Sequence, residues 1–283
     1  MITEVRAGEW TFRGVSVGGV YTSILIPELD FLLDAGIGLR SMGRFNDVFL
    51  SHGHVDHVGG LMQALSMRSF VRHTPARIFA PKELIPTLQA SMEASCAVHA
   101  CDHTWTLHGL CPGDEADLQG DWFVRAFRSH HVIPSLGYLF GRRVRKLRAE
   151  CADLSEEEIV RRRREGDESM LEWTDRREIA WAGDSLATVL ETAPEVLDAK
   201  VLLLECSFIG GERSAADAVA RTHVHLDDVI ERADRFHNEA LILMHFSQVH
   251  EPEAVHRVLR ERLPPDLLQR VKIFAPEQGP WFG

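Results

Sequence analysis

Directly after the short apolar strand Asp47–Leu50 the chain reads Ser51-His52-Gly53-His54-Val55-Asp56-His57, four metal-competent side chains within six residues. One strand face cannot hold all four, because successive side chains alternate across a strand. A turn leaving a strand end can aim them at two adjacent cation positions, with His52 and His54 at one and Asp56 and His57 at the other. Val58-Gly59-Gly60-Leu61 then supplies a small-residue turn and opens a helix. Histidine is abundant throughout, 15 of 283 residues, and neutral imidazole is the commonest protein metal ligand.

Short runs rich in β-branched or aromatic residues read as strands at Val20–Ile26, Phe31–Asp34, Asp47–Ser51, Arg77–Ala80, Trp122–Ser129 and Leu136–Phe140. The second half offers Glu178–Ala182, Lys200–Cys206, Ala240–His245 and Arg270–Ala275. Helical patterns fall at His57–Arg72, Lys82–Ser95, Leu186–Thr192, Leu226–Phe236 and Pro252–Arg262. Strands precede helices in both halves, which predicts two mixed sheets with helices outside, a four-layer α/β sandwich. No linker or repeat divides it, so residues 1–283 read as one domain. Residues 142–178 break the rhythm with 11 basic and 11 acidic residues. So polar a stretch buries little, and it reads as a protruding helical arm or long loop.

No apolar run approaches the ~18 residues of a membrane span. The first residues lack the charged-then-apolar layout of a secretory signal. Five cysteines (Cys96, Cys101, Cys111, Cys151, Cys206) follow no CxxC spacing and read as reduced thiols in a cytoplasm. The net charge of −11 by itself argues against a nucleic-acid partner. Its distribution argues the other way: Arg142, Arg143, Arg145, Lys146 and Arg148 form a basic run without an acid, and Arg161–Arg164 adds four more charges. Such an arm on an acidic body can engage RNA phosphates, the alternative being a solvated helix whose arginines pair with Glu156–Glu158 and Glu165–Glu168.

Other motifs follow in order: His131-Val-Ile-Pro-Ser-Leu-Gly-Tyr138, Trp181-Ala-Gly-Asp184-Ser185, Glu205-Cys-Ser-Phe208, His223-Val-His225-Leu and His245-Phe-Ser247. With HxHxDH these resemble the metallo-β-lactamase superfamily, and their particular forms resemble ribonuclease Z, the tRNA 3′-processing endonuclease, in its short plant-like and bacterial form. The likeness runs over nearly the whole chain. It implies a four-layer αββα sandwich carrying a charged helical arm, and a metal-dependent phosphodiesterase that removes the 3′ trailer of precursor tRNA. Hydrolysis of a small phosphodiester or ester, such as a cyclic nucleotide, on the same site is the alternative. The resemblance also implies a homodimer in which one subunit's arm serves the other's site.

Residue by residue, the resemblance implies two Zn2+ per subunit, with Mn2+ as the alternative. His52, His54 and His131 would hold one ion, Asp56, His57 and His245 the other, and Asp184 would bridge them. Imidazole and carboxylate ligands without thiolate suit either metal. Two ions ~3.5–4 Å apart can share a hydroxide and grip both oxygens of an in-line displacement. Asp56 would orient that nucleophile, and His223 with Glu205 as its orienter would protonate the leaving ribose oxygen. His225 is the rival acid, although it also fits the start of the helix beginning at Leu226. His130 reads as a surface or supporting histidine. His73, His99, His103, His108, His237, His250 and His256 lack ligand-like partners. The chain departs from the family at Gln248-Val249-His250, where an Arg-Tyr pair usually stands, and at Leu139, where many members carry arginine.

Overall fold

The computed structural model describes residues 2–72, 74–211 and 214–281, so His73 lies outside the described residues. The first sheet runs β1 (Thr3–Ala7), β2 (Trp10–Gly18), β3 (Tyr21–Ile26), β4 (Phe31–Leu33), β5 (Asp47–Phe49), β6 (Ala76–Pro81) and β7 (Trp105–Leu110), neighbours in space as in sequence. Pairing is antiparallel up to β4 and parallel from there to β7. Helices α1 (Val55–Val58) and α2 (Leu61–Ser69) fill the crossover from β5 to β6, and α3 (Ile85–His99) that from β6 to β7.

The second sheet contains β8 (Glu115–Asp117), β9 (Trp122–Arg128), β10 (Leu136–Leu147), β11 (Leu171–Trp181), β12 (Val201–Glu205) and β13 (Ala240–Met244). The two-residue β14 (Phe246–Ser247) crosses back to pair with β2, and β15 (Val271–Ile273) completes the second sheet beside β13. Its helices are α4 (Glu156–Arg164), α5 (Val189–Thr192), α6 (Ala215–Ala220), α7 (Leu226–Glu231), α8 (Pro252–Arg262) and α9 (Pro265–Leu268).

Period-two alternation within fully apolar strands generates the layers. Ile24 and Ile26 of β3, with Phe49 and Phe79, meet Tyr138, Phe140, Trp181, Leu203 and Ile242 of the other sheet. The Phe49 and Phe79 rings stack at 4.9 Å, and Phe140 meets Phe49 edge-on at 4.7 Å. Leu25 points the other way, into a cluster with Leu61 and Leu65 of α2 and Leu88 and Met92 of α3. Likewise Leu202, Leu204, Leu241 and Leu243 turn outward under α5, α7 and α8. Helix–sheet–sheet–helix is therefore the order expected from sequence.

The arm differs from expectation. Residues 142–178 are not chiefly helical: β10 and β11 continue as an antiparallel ribbon from Gly141↔Arg177 to Leu147↔Leu171. Only α4, capped by Ser155 Oγ accepting from Glu158 N, is a true helix there. β9 stops pairing at Arg142↔Trp122, so beyond it the ribbon extends past the rest of the sheet. Aromatic rings hold the arginines in extended chain, Arg143 over Phe123 at 5.1 Å and Arg145 over Trp173 at 5.2 Å. Cross-strand charge and cation–π pairs stabilise a ribbon that hydrophobic patterning alone does not reveal. Polar alternation likewise hid the edge strands β1, β7 and β8.

Candidate metal centre

Every candidate ligand lies past the carboxyl end of a strand, directly or, for Asp56 and His57, in the short helix that follows. His52 follows β5, His54 caps α1, and Asp56 and His57 lie within α1. His131 follows β9, Asp184 follows β11 and His245 joins β13 to β14. Gly183 precedes Asp184 at φ +62°, a left-handed turn that glycine adopts without a Cβ penalty. Gly36 lets the chain after β4 pass under the loop, since a Cβ there would lie 1.8 Å from the Asp56 carbonyl oxygen.

The structure brings all seven candidates together. Ligand-type atoms of His52, His54 and His131 form one group, and those of Asp56, His57 and His245 a second, each within 4.8 Å. Asp184 groups with His52 and His57 on one side and with His223 and His245 on the other. His54 Nδ1 lies 3.0 Å from His52 Nε2 and 3.2 Å from His131 Nε2. Nitrogens at ~2.0–2.1 Å from one tetrahedral ion stand roughly 3.3 Å apart, so this spacing fits a shared cation. Asp184 Oδ2 is 3.1 Å from His245 Nε2 and 3.4 Å from His57 Nε2, and neither nitrogen makes a hydrogen bond. Buried polar atoms left this way ordinarily imply a missing partner, and the donor set fits a divalent cation.

Electrostatics point the same way. Burial and the neighbouring His57 charge depress His52 well below the usual imidazole range, and burial also lowers His131. Both rings therefore present neutral lone pairs. Burial opposes charge on His57, but the Asp184 and Asp34 carboxylates hold its pKa well above normal, so the site favours positive charge there and a bound cation would take the place of the Nε2 proton. Burial also opposes ionisation of Asp56, yet the His57 contact brings its carboxyl down to about 2.

The second ring nitrogens reveal residues that sequence reasoning missed. Asp34, fully buried just after β4, accepts from Ser51 N and Ser51 Oγ, each at 2.8 Å, and contacts His57 Nδ1. Ser51 Oγ is 2.9 Å from His52 Nδ1, Thr22 Oγ1 is 3.0 Å from His245 Nδ1, and Thr222 Oγ1 is 2.9 Å from His131 Nδ1. Such outer partners set tautomer and ring orientation. The one available signal was Asp34, an acid ending a wholly apolar strand.

His223 lies at the rim, with Nδ1 2.9 Å from Glu205 Oε1. Glu205 is buried and fully engaged: Oε1 also accepts from Ser185 N, and Oε2 from Ser207 Oγ and Val224 N. Burial disfavours charge on His223, but the Glu205 and Asp184 carboxylates raise its pKa to about 9. His225 caps α7 and its Nδ1 accepts from Asp227 N, away from the cluster. His130 bonds Thr192 at the surface, and the remaining described histidines stand outside the cluster.

A cavity of about 410 Å³ lies over the cluster, lined by Gly18, Gly19, Asp56, His131, Asp184, Ser207, His223, Ser247 and one cationic residue of the Lys/Arg type, Arg221. Among the described residues no carboxylate within 4 Å pairs with Arg221. A second groove of about 670 Å³ shares His131 and Val132 and passes Arg128 and His130. The arm's cations are mostly paired: Arg142 with Asp121 at 3.0 Å, Arg143 with Asp117 and Glu115, Arg145 with Glu168, and Arg148 with Glu150 at 3.9 Å. Lys146 has no carboxylate within 4 Å among the described residues.

Strand-end imidazoles and carboxylates on an αββα sandwich define a metal-dependent hydrolase of the β-lactamase superfamily: residues 31–246 match the Beta-lactamase superfamily domain, and the chain belongs to that superfamily. Within it, this chain is a member of the tRNase Z, or ribonuclease Z, family. It is 32% identical to tRNase Z TRZ1 of Arabidopsis thaliana, over 95% of this chain and 96% of that protein. The chloroplastic tRNase Z TRZ2 of the same plant is 29% identical over 90% of this chain and 72% of its own length. Human tRNase Z, short form, shares the fold with a TM-score of 0.63 at 17% identity, covering 98% of this chain and 97% of that one.

Proposed function

We propose that this chain is an endoribonuclease that removes the 3′ trailer of precursor tRNA by hydrolysing one phosphodiester. Two divalent cations, zinc or in its place manganese, would be held by His52, His54 and His131 and by Asp56, His57 and His245, with Asp184 between them. Bound there, they supply Lewis acidity toward phosphate oxygens and a water made nucleophilic near neutral pH. The observation that carries the reading is His223, which faces the same cavity as the ligand cluster and is held from behind by the buried Glu205.

Asp56, ionised at neutral pH, accepts hydrogen from the attacking water and orients it. The water oxygen bonds to phosphorus as the bond from phosphorus to the ribose O3′ breaks. His223 has Nδ1 fixed on Glu205, so Nε2 delivers the proton to the departing O3′ and the tRNA keeps a 3′-hydroxyl. A raised pKa keeps this ring protonated at neutral pH, as a general acid requires. Arg221 lines the cavity where Gln248 and Val249 place no positive charge, and its guanidinium suits bidentate contact with a phosphate.

Leu136, beside the cluster through its N–H bond to Ser51 O, begins the strand that carries the arm. Arg145 is nine positions further along β10, about 30 Å at ~3.3 Å per residue. The end of the arm therefore stands too far off to serve its own subunit's scissile phosphate, which supports contact with a distant part of the RNA; the homodimer rests on the family resemblance. Exposed ion pairs such as Arg145–Glu168 hold weakly, so phosphates can compete for them.

The test is to incubate metal-loaded protein with a trailer-bearing precursor tRNA and, separately, with a cyclic nucleotide. Endonucleolytic release of the trailer, leaving a 3′-hydroxyl, is expected. Turnover of the cyclic nucleotide alone would refute the tRNA substrate while leaving the hydrolytic centre standing.

A further inference from the structure

Thr222 occupies a backbone position that a threonine ordinarily avoids. Helix α6 ends in a Schellman turn: His223 N donates to Ala218 O at 2.9 Å and Thr222 N to Val219 O at 3.0 Å. That motif puts the residue after the C-cap in the left-handed region, where glycine is the usual occupant. Thr222 sits there at φ +58°. For a β-branched residue this is a genuine outlier, and an observed outlier is a reason to look for function.

Its hydroxyl supplies the reason. Thr222 Oγ1 donates its single hydrogen to Arg221 O, 2.7 Å away. The same oxygen lies 2.9 Å from His131 Nδ1, and with its proton already committed it can only accept there. Thr222 O, 3.3 Å from the same nitrogen, is also an acceptor. Two acceptors on one ring nitrogen require the proton to be on Nδ1. His131 Nε2 is then a bare lone pair, aimed at His52 and His54.

We propose that Thr222 is a positioning residue whose strained conformation is retained because its hydroxyl fixes the Nδ1–H tautomer of His131 for the cation held with His52 and His54. The inference rests on the metal reading of that cluster. It also joins three consecutive residues in one turn, Arg221 over the cavity, Thr222 behind a ligand and His223 as the acid.

Three variants separate strain from hydroxyl: Thr222→Gly, Thr222→Val and Thr222→Ser. For each, the melting temperature of chelator-stripped protein is measured, and Zn2+ is titrated in competition with a chromogenic chelator. Thr222→Gly is expected to melt at or above the parent protein when stripped, yet to bind one of two equivalents of zinc 10–100-fold more weakly. Thr222→Val is expected to show the same loss of affinity without the gain in melting temperature, and Thr222→Ser to bind like the parent. Parent-like zinc affinity in both Thr222→Gly and Thr222→Val overturns the proposal, as does a Thr222→Ser variant as weak as valine. Failure of the parent protein to bind zinc sinks the metal reading instead.

Discussion

Replacing Asp34 by asparagine tests whether the support behind the ligands matters as much as the ligands themselves. Asp34 has no exposed surface, and its oxygens receive Ser51 N, Ser51 Oγ and His57 Nδ1. Asparagine keeps the volume but turns one oxygen into a donor. In one amide orientation the Ser51 N–H loses its acceptor; in the other an NH2 group confronts His57 Nδ1–H. A buried donor left unmade costs about 1–3 kcal/mol. Removal of a buried charge offsets some of that. For a chain of this size each kcal/mol shifts melting by about 2–4 °C, so metal-stripped protein should melt roughly 2–10 °C lower. The larger effect should appear in metal binding, because His57 loses the partner that keeps its proton on Nδ1 and Nε2 free. A 10–100-fold loss of zinc affinity is the expected scale. Asp34→Ala, which takes the acceptor from all three donors, should cost about 3–5 kcal/mol. Calorimetry of stripped protein and chelator-competition titration measure the two effects separately. Lower melting with parent-like zinc affinity would refute the argument and reduce Asp34 to a packing residue.

Asp184→Ala should remove most bound metal, measured by elemental analysis, and abolish hydrolysis of every phosphodiester; normal turnover would exclude a metal mechanism. His223→Ala should leave metal content intact while slowing cleavage by ~10²–10⁴-fold, and a loss of zinc in that variant would instead mark His223 as a ligand. The parent's rate should decline as pH rises through the His223 pKa, because the protonated acid is then lost, and His223→Ala should lack that alkaline limb. Replacing Arg142, Arg143, Arg145, Lys146 and Arg148 with neutral residues should weaken tRNA cleavage and flatten its dependence on salt. A small chromogenic phosphodiester should be hydrolysed at the parent rate by that variant, and equal loss on both substrates would make the arm structural.

What could be read from the sequence follows a physical division. The clustering of His52, His54, Asp56 and His57 was legible because metal-competent chemistry belongs to the residue itself and four such residues follow one apolar strand, whereas His131, Asp184 and His245 joined them through the family resemblance, each just past a strand. The layers were legible for a similar reason: strands such as Leu202–Leu204 are apolar at every position and so must be covered on both faces. Thr22, Asp34 and Thr222 were not legible. Their side chains are ordinary, and their role depends on which strand ends the fold places side by side. Thr22 reaches His245 across 223 positions of chain, and Thr222 reaches His131 across 91. Only Asp34 left a trace, because parallel pairing of β4 with β5 sets their carboxyl ends next to each other. An acid closing β4 must then meet the turn that opens with Ser51. The arm misled for the converse reason. Its balanced charges read as a protruding helical arm or long loop, but Arg143 and Arg145 lie over aromatic rings and meet carboxylates, so strand pairing outweighed helical charge spacing. In a segment without a hydrophobic period, cross-strand partners decide the backbone, and those partners are known only once the strands are paired.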